Sequence, residues 1–220
     1  MTLAELRALF RVDADDEVIP YLWTDAQVTG WLNEAEEEAA ERAGLIPEDF
    51  APEVCVIAVT AGTASYTTHP AILDITRAAF TPTGGDALDL YLIDRLELDR
   101  IKPDWRTSTE EPAYLIHDDT KARIVPTPTV AGVLSIECHR LPLSPMEDDE
   151  DSPEIARTHH RRLVHWALHR AFSKPDAEVF DETRAAIGER EFTRYFGIRP
   201  DAQTRKDTRA NRPHHNKPVW

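Results

Sequence analysis

The hydrophobic positions of this chain change period twice and then lose it. Between Thr24 and Gly44, the residues Val28, Trp31, Leu32, Ala35 and Ala39 recur at helical spacing on one face, with Glu34, Glu37, Glu38 and Glu41 opposite. Thr24 with Gln27 forms a capping box at the start of this segment, and Gly44 stands where a helix C-terminal glycine belongs. Thr2 with Glu5 forms a similar box, which predicts a short helix through about Phe10 and an acidic link over residues 13–20. After Phe50 the pattern turns strand-like, rich in Val, Ile, Thr and Tyr. Strands are predicted at 54–61, 65–67, 72–80, 88–93, 113–117, 123–125 and 133–140, with turn signals at 83–86 and 118–120 and a short helix near 96–101.

Helical spacing returns beyond the acidic run 147–151. Ser152, Pro153 and Glu154 read as a helix start, and Ile155, Leu163, Trp166, Ala167, Arg170 and Ala171 map onto one stripe ending near Ser173. A break at 174–176 leads to a last helix, 177–196, with Val179, Phe180, Thr183, Ile187, Phe192 and Phe196 as its apolar positions and Gly197 as its stop. The expected fold class is therefore α+β: a helical bundle body with an inserted antiparallel β subdomain and an extended C-terminal arm. Its expected parts are residues 1–52 and 152–197 for the helical body, 53–143 for the β-rich insert and 198–220 for the arm.

The arm has no hydrophobic period. Residues 197–220 hold six Arg or Lys against two Asp, with Ile198, Val219 and Trp220 as the large apolar residues and Pro200, Pro213 and Pro218 as helix breakers. Such a segment buries too little apolar surface to offset its ordering entropy, so it is expected to be disordered alone and to order on a partner. The rest of the chain is strongly acidic, since the total is 40 Asp or Glu against 25 Lys or Arg, a net charge of −15. An acidic body argues against general nucleic-acid binding, which depends on clustered Lys and Arg. The acidic helix face of Glu34, Glu37, Glu38 and Glu41 reads either as a solvated surface or as the wall of a lumen or interface.

Candidate chemistry is sparse. His159, His160, His165 and His169 share one predicted helix, and His165 and His169 are four apart. No HExxH pattern or in-helix carboxylate at ligand spacing accompanies them, and Arg161, Arg162 and Arg170 crowd the site with positive charge, so no metal site is expected. There is no GxSxG elbow, no GxxxxGK[ST] or GxGxxG phosphate loop, and no EF-hand spacing in 147–151. No catalytic residue and no cofactor is therefore predicted. Cys55 and Cys138 are too few for a disulfide framework and read as buried thiols in strands. Trp31 and Trp166 fall on apolar helix faces, and Trp105 reads as the anchor of a turn. No apolar run approaches the ~18 residues of a membrane span, and the N-terminus lacks a signal-peptide pattern, so synthesis in a cytosol is expected.

Taken in order, several segments resemble the head–tail adaptor (connector or neck) proteins of tailed bacteriophages. They are Leu22-Trp23-Thr24-Asp25 leading to Trp31-Leu32-Asn33-Glu34-Ala35, then Tyr66, Pro70-Ala71-Ile72-Leu73 and Pro103-Asp104-Trp105-Arg106. Arg140-Leu141-Pro142-Leu143 follows, then Pro153-Glu154-Ile155, His159, Leu163, Trp166-Ala167-Leu168, Ala171-Phe172, Asp176-Ala177-Glu178 and Phe192 with Phe196-Gly197. Together they span residues 20–197. The resemblance implies a non-enzymatic virion protein of the neck, assembled in the host cytoplasm as a homo-oligomeric ring, commonly of twelve copies. The ring docks on the portal protein, meets tail or neck proteins below, and lets double-stranded DNA pass without specific binding.

Within that frame Arg205, Lys206, Arg209, Arg212, Lys217, Val219 and Trp220 are expected to bind the portal, and Glu34, Glu37, Glu38 and Glu41 to face the channel. Two other readings remain open: another neck or tail-completion protein below the adaptor, and a ligand-binding enzyme with its site in the β insert.

Overall fold

The computed structural model describes residues 1–174 and 180–201. It is a mixed α/β structure with six helices and a curled mixed sheet among the described residues. Chain contacts divide it into a helical unit, Met1–Ile46 with Arg140–Arg199, and a sheet unit that includes Pro47–His139.

In the helical unit, α1 (Leu3–Ala14) and α2 (Asp25–Ala43) both begin at the capping boxes expected, Thr2 with Glu5 and Thr24 with Gln27. α1 runs a full turn past Phe10, however. Arg11 and Ala14 are buried, and the helix stops only at Asp15, whose backbone is left-handed at φ 58°. Gly44 ends α2 in the same conformation. The later helices are α5 (His160–Phe172) and α6 (Glu182–Phe196), the latter capped by the Asp181 carboxylate on the Arg184 N–H at 3.0 Å.

The helix start expected at Ser152-Pro153 does not occur. Residues 152–159 are irregular because their groups are engaged elsewhere: Glu154 accepts from the Leu143 N–H at 2.8 Å and from Arg140, and the Ile155 N–H donates to Glu36 at 3.2 Å. Phe180, expected on the last helix, precedes it and is exposed. Leu6, Phe10, Val28, Leu32, Leu163, Ala167 and Phe192 are among the residues of one core shared by α1, α2, α5 and α6. α5 and α6 approach so closely that a Cβ at Gly188 would lie 2.6 Å from the His165 carbonyl oxygen.

The sheet unit contains β1 (Pro47–Glu48), α3 (Pro52–Cys55), β2 (Val56–Val59), β3 (Ser65–Thr67) and β4 (Ile72–Pro82). It continues with β5 (Leu88–Leu92), α4 (Arg95–Ile101), β6 (Tyr114–His117), β7 (Lys121–Val125) and β8 (Gly132–Arg140). Strand order is β1-β8-β4-β5-β6-β7-β3, with β2 also pairing β8. The start of the strand expected at 54–61 is instead the single turn α3, which opens with Pro52 at a position where a missing N–H costs nothing. Cys55 accordingly closes a helical turn and does not sit in a strand, although both it and Cys138 are buried as expected.

The sheet is also not antiparallel throughout: β5 and β6 are parallel, Tyr91 facing Tyr114. Parallel neighbours need a crossover connection, and α4 with the loop after it supplies one. Successive residues of β6 point to opposite faces. Leu115 joins a large apolar core with Ile75, Leu90, Ile124 and Leu134, while Ile116 joins a smaller one with Leu98 and Trp105. Gly132 at the start of β8 has no room for a side chain, since its Cβ would come within 2.3 Å of the Thr81 carbonyl oxygen.

Candidate functional site

The chain leaves α6 at Gly197, with φ 89°, a conformation that favours glycine. From this point the basic C-terminal segment begins, and its root is clamped onto α2. Arg42, in the last turn of α2, places both Nε and Nη2 2.8 Å from Glu38 Oε1. Its Nη1 donates to Thr193 Oγ1 at 2.9 Å and to the Gly197 carbonyl at 3.1 Å. The same guanidinium lies 5.2 Å from the Trp166 ring centre and 5.1 Å from that of Phe192. Two residues on, Arg199 reaches back to Glu41 at 2.8 Å and Glu38 at 3.6 Å. A planar guanidinium that meets a carboxylate, a hydroxyl and a carbonyl beside two rings holds the Gly197 carbonyl in place, and Arg199 adds a second tie to α2.

The four α2 glutamates do not present one uniform charged stripe. Glu38 is buried against Arg42, Glu41 is half-buried against Arg199, and Glu34 is paired with Arg170 at 3.0 Å. Glu37 is the exposed member of the set. Glu36, which the sequence reading passed over, is buried on the core side, where it receives the Ile155 N–H. Burial, opposed by that backbone hydrogen bond, pushes its carboxyl above the ordinary glutamate range. The signal was present: Glu36 stands four residues after Leu32 and four before Ala40, both fully buried.

Arg205, Lys206, Arg209, Arg212, Lys217, Val219 and Trp220 lie outside the described residues. The histidines of the α5 region are taken up by the chain itself. His160 is buried, with Nε2 2.9 Å from the Ile155 carbonyl, and His169 Nδ1 is 3.1 Å from the Ala185 carbonyl. His159 Nδ1 meets the Tyr195 hydroxyl at 3.1 Å. Desolvation first, and then the positive charge of Arg162, hold His165 below the usual histidine range. Among the described residues no three His, Cys, Asp or Glu side chains converge as a metal site would require. Trp105 does anchor its turn: it is buried, donates Nε1 to Asp99 at 2.7 Å and packs against Arg106 and Arg123, whose guanidinium carbons are 4.3 and 4.9 Å from its ring centre.

The α1–α2 loop is more than the acidic link that the sequence predicts over residues 13–20. Its base is tied down by Asp16, a buried carboxylate that pairs with Arg11 and accepts the N–H groups of Leu22 at 2.7 Å and Trp23 at 3.4 Å. The Arg11 guanidinium also sits 4.2 Å from the Tyr21 ring centre. Beyond this base Val18, Ile19, Tyr21 and Leu22 are exposed. The signal here is four large apolar residues around Pro20 with no helical or strand period to bury them.

No helix among the described residues is long and apolar enough to cross a membrane. No curated protein matches the chain. The family model described as "SU10 adaptor protein" matches residues 1–216, nearly the whole length. That match agrees with the resemblance carried by the ordered motifs from Leu22 to Gly197, and on it the chain belongs to the SU10 adaptor protein family, as a structural phage adaptor.

Proposed function

We propose that this protein is the head–tail adaptor of a tailed phage, a virion protein of the neck whose copies form a ring on the portal and join the DNA-filled capsid to the tail. The observation that carries the reading is the family match over residues 1–216, which takes in the helical unit, the sheet unit and the basic segment as far as Asn216. In this reading the helices of residues 1–52 and 152–197 build the ring, commonly of twelve copies, and residues 53–143 project from it. The segment 198–220 reaches the portal, and assembly takes place in the host cytoplasm before the protein enters the virion. The clamp of Arg42 and Arg199 supports the role of the arm, because a segment held at its root starts its search for a partner in a set direction. Of Glu34, Glu37, Glu38 and Glu41, expected to face the channel, the proposal rests on the exposed Glu37, which supplies charge that keeps DNA phosphates from sticking, because the other three are engaged by Arg170, Arg42 and Arg199.

Attachment is assigned to Arg205, Lys206, Arg209, Arg212 and Lys217 meeting acidic groups, with Val219 and Trp220 filling an apolar pocket. Exposed ion pairs contribute about 0–1 kcal/mol each, whereas a buried tryptophan is worth ~2 kcal/mol or more. Removing Val219 and Trp220 should therefore weaken docking more than neutralising any one Arg or Lys, and a ring of arms amplifies each modest contact through avidity. The test is co-sedimentation with purified portal rings, read beside negative-stain images of the mixture. The full chain should co-sediment and form a ring on the portal, and a chain ending at Gly197 should not. Undiminished docking of the truncated chain would remove the arm from the attachment, and the absence of any docking by the full chain would overturn the adaptor reading.

A further inference from the structure

The two ends of the helical unit carry opposite charge beside exposed apolar side chains. At one end is the α1–α2 loop, where Val18 is 80% exposed, Ile19 78% and Leu22 55%. Asp15 and Glu17, with Asp13 in the last turn of α1, make this end acidic, and of the three only Asp15 is in an ion pair among the described residues, with Arg184 at 3.1 Å. Because Asp16 and Arg11 hold its base, the apolar tip projects outward and does not fold back onto the core. At the other end Arg157 and Arg161, which flank His159 in the chain, are exposed, as are Arg194 and Tyr195, whose hydroxyl meets His159. The tyrosine ring is covered by Arg162, whose guanidinium carbon is 5.0 Å from the ring centre, and Glu191 offsets part of the charge through Arg194 at 2.6 Å.

Contacts within the unit place these surfaces apart. His159 touches Tyr195, so the start of α5 lies beside the end of α6. Trp23 packs edge-on against Phe172, with ring centres 5.3 Å apart, and Arg184 reaches Asp15, so the loop lies at the end of α5 and the start of α6. The length of α5, thirteen residues, separates the two surfaces by about 20 Å. One copy cannot bring its own loop to its own patch.

We infer that the acidic, apolar α1–α2 loop of one copy docks on the arginine–tyrosine patch of the next copy. The occupant is a second copy of this chain because the two surfaces are opposite in charge, each exposes apolar area beside that charge, and both are present on every molecule at opposite ends. A head-to-tail contact of this kind repeats from copy to copy and closes into a ring when the rotation permits. Tyrosine and arginine are also the residue types that dominate interface energetics. The inference deepens the ring proposed above and rests on it.

The experiment measures self-association of the full-length protein by sedimentation velocity and native mass spectrometry over a range of concentration and salt, alone and with portal rings. One variant carries Glu17→Lys with Val18→Lys, a second carries Arg157→Glu with Arg161→Glu, and a third carries all four. All four sites are exposed, so far-UV circular dichroism and melting should match the wild type. Wild-type association should weaken as salt rises. Each two-site variant should associate about tenfold or more weakly, since like charges then meet across the contact. The four-site variant should recover, and the two two-site variants mixed in equal amounts should co-assemble as alternating copies, since the reversed loop meets the reversed patch and the native loop meets the native patch. Copies that form rings equally well with the loop or patch reversed overturn the docking inference and leave the ring reading standing. A wild type that forms no oligomer either alone or on portal rings overturns both.

Discussion

In the helical unit the buried polar residues are Arg11, Asp16, Glu36, Glu38, Arg140 and His160, whereas in the described part of the sheet unit they are Thr68 and His117. The sheet unit keeps its ion pairs outside: Arg77 bridges Asp89 at 2.6 Å and Glu137 at 2.9 Å across three strands, with every partner well exposed. The difference follows from what each unit must hold in place. Strand ladders satisfy their own backbone groups and set their own register, so no charge is needed within the core. The helical unit must fix long irregular connections, the α1–α2 loop, residues 141–159 and the start of the C-terminal segment at Gly197. In each case a buried or half-buried charge accepts or donates to backbone groups that no helix or strand pairs: Asp16 on Leu22 and Trp23, Glu36 on Ile155, Arg42 on Gly197.

If that division is right, the two units should fail in different ways. The largest loss is expected in the sheet unit from Trp105→Ala, which empties the small core shared with Leu98, Ile116 and Val125 and should cost about 3–5 kcal/mol in urea unfolding. Asp16→Ala should cost about 3 kcal/mol, because Arg11 loses its buried partner while keeping Asp25 at 2.8 Å. Hydrogen exchange should localise that damage to the α1–α2 loop. A loop that stays as protected as in the wild type would break the link drawn here between buried charge and irregular backbone.

Gly188→Ala probes the helical core without touching charge. The new methyl would press on the His165 carbonyl and the His169 N–H region, for a loss of about 1–3 kcal/mol in thermal melting. An unchanged melt would mean that α5 and α6 can separate freely.

Glu36→Gln is a smaller and pH-dependent effect. A carboxyl whose folded-state pKa is raised adds stability that is complete below the ordinary glutamate value of 4.5 and is lost as pH rises through the raised folded value. Glutamine keeps an acceptor for the Ile155 N–H without the buried charge. The variant should therefore match the wild type in acid and melt higher at neutral pH. A lower melting temperature at neutral pH would show that the charge itself holds residues 152–159. The smallest effect belongs to Arg77→Ala, an exposed bridge between exposed partners, whose removal should leave melting unchanged within error.

Much of this molecule is local and was legible as such. The capping boxes of α1 and α2, the stop at Gly44, the strand at 65–67 and the stop at Gly197 depend on residues within a few positions of one another. Backbone satisfaction at those points is a short-range problem with a side-chain signature. The start of α5 was not legible, because Ser152-Pro153-Glu154 carries every local mark of a helix start and is overruled by Arg140, Leu143 and Glu36, partners distant in sequence. The parallel pairing of β5 with β6 was hidden for a related reason: a strand's own pattern does not state its neighbour's direction.

The sequence by itself determined the order of helical and strand-like stretches, the charge contrast between the body and the basic C-terminal segment, and the ordered motifs that mark the adaptor family. Only the tertiary structure decided which charges are buried, that Gly188 and Gly132 are sites of close approach, and that Arg42 and Arg199 hold residues 197–199 to α2. It alone decided too that the acidic loop and the arginine–tyrosine patch stand at opposite ends of one unit. The physical reason is range: caps and periodicity act over one or two turns of chain, while desolvation and side-chain contact depend on neighbours that only folding brings within a few ångströms.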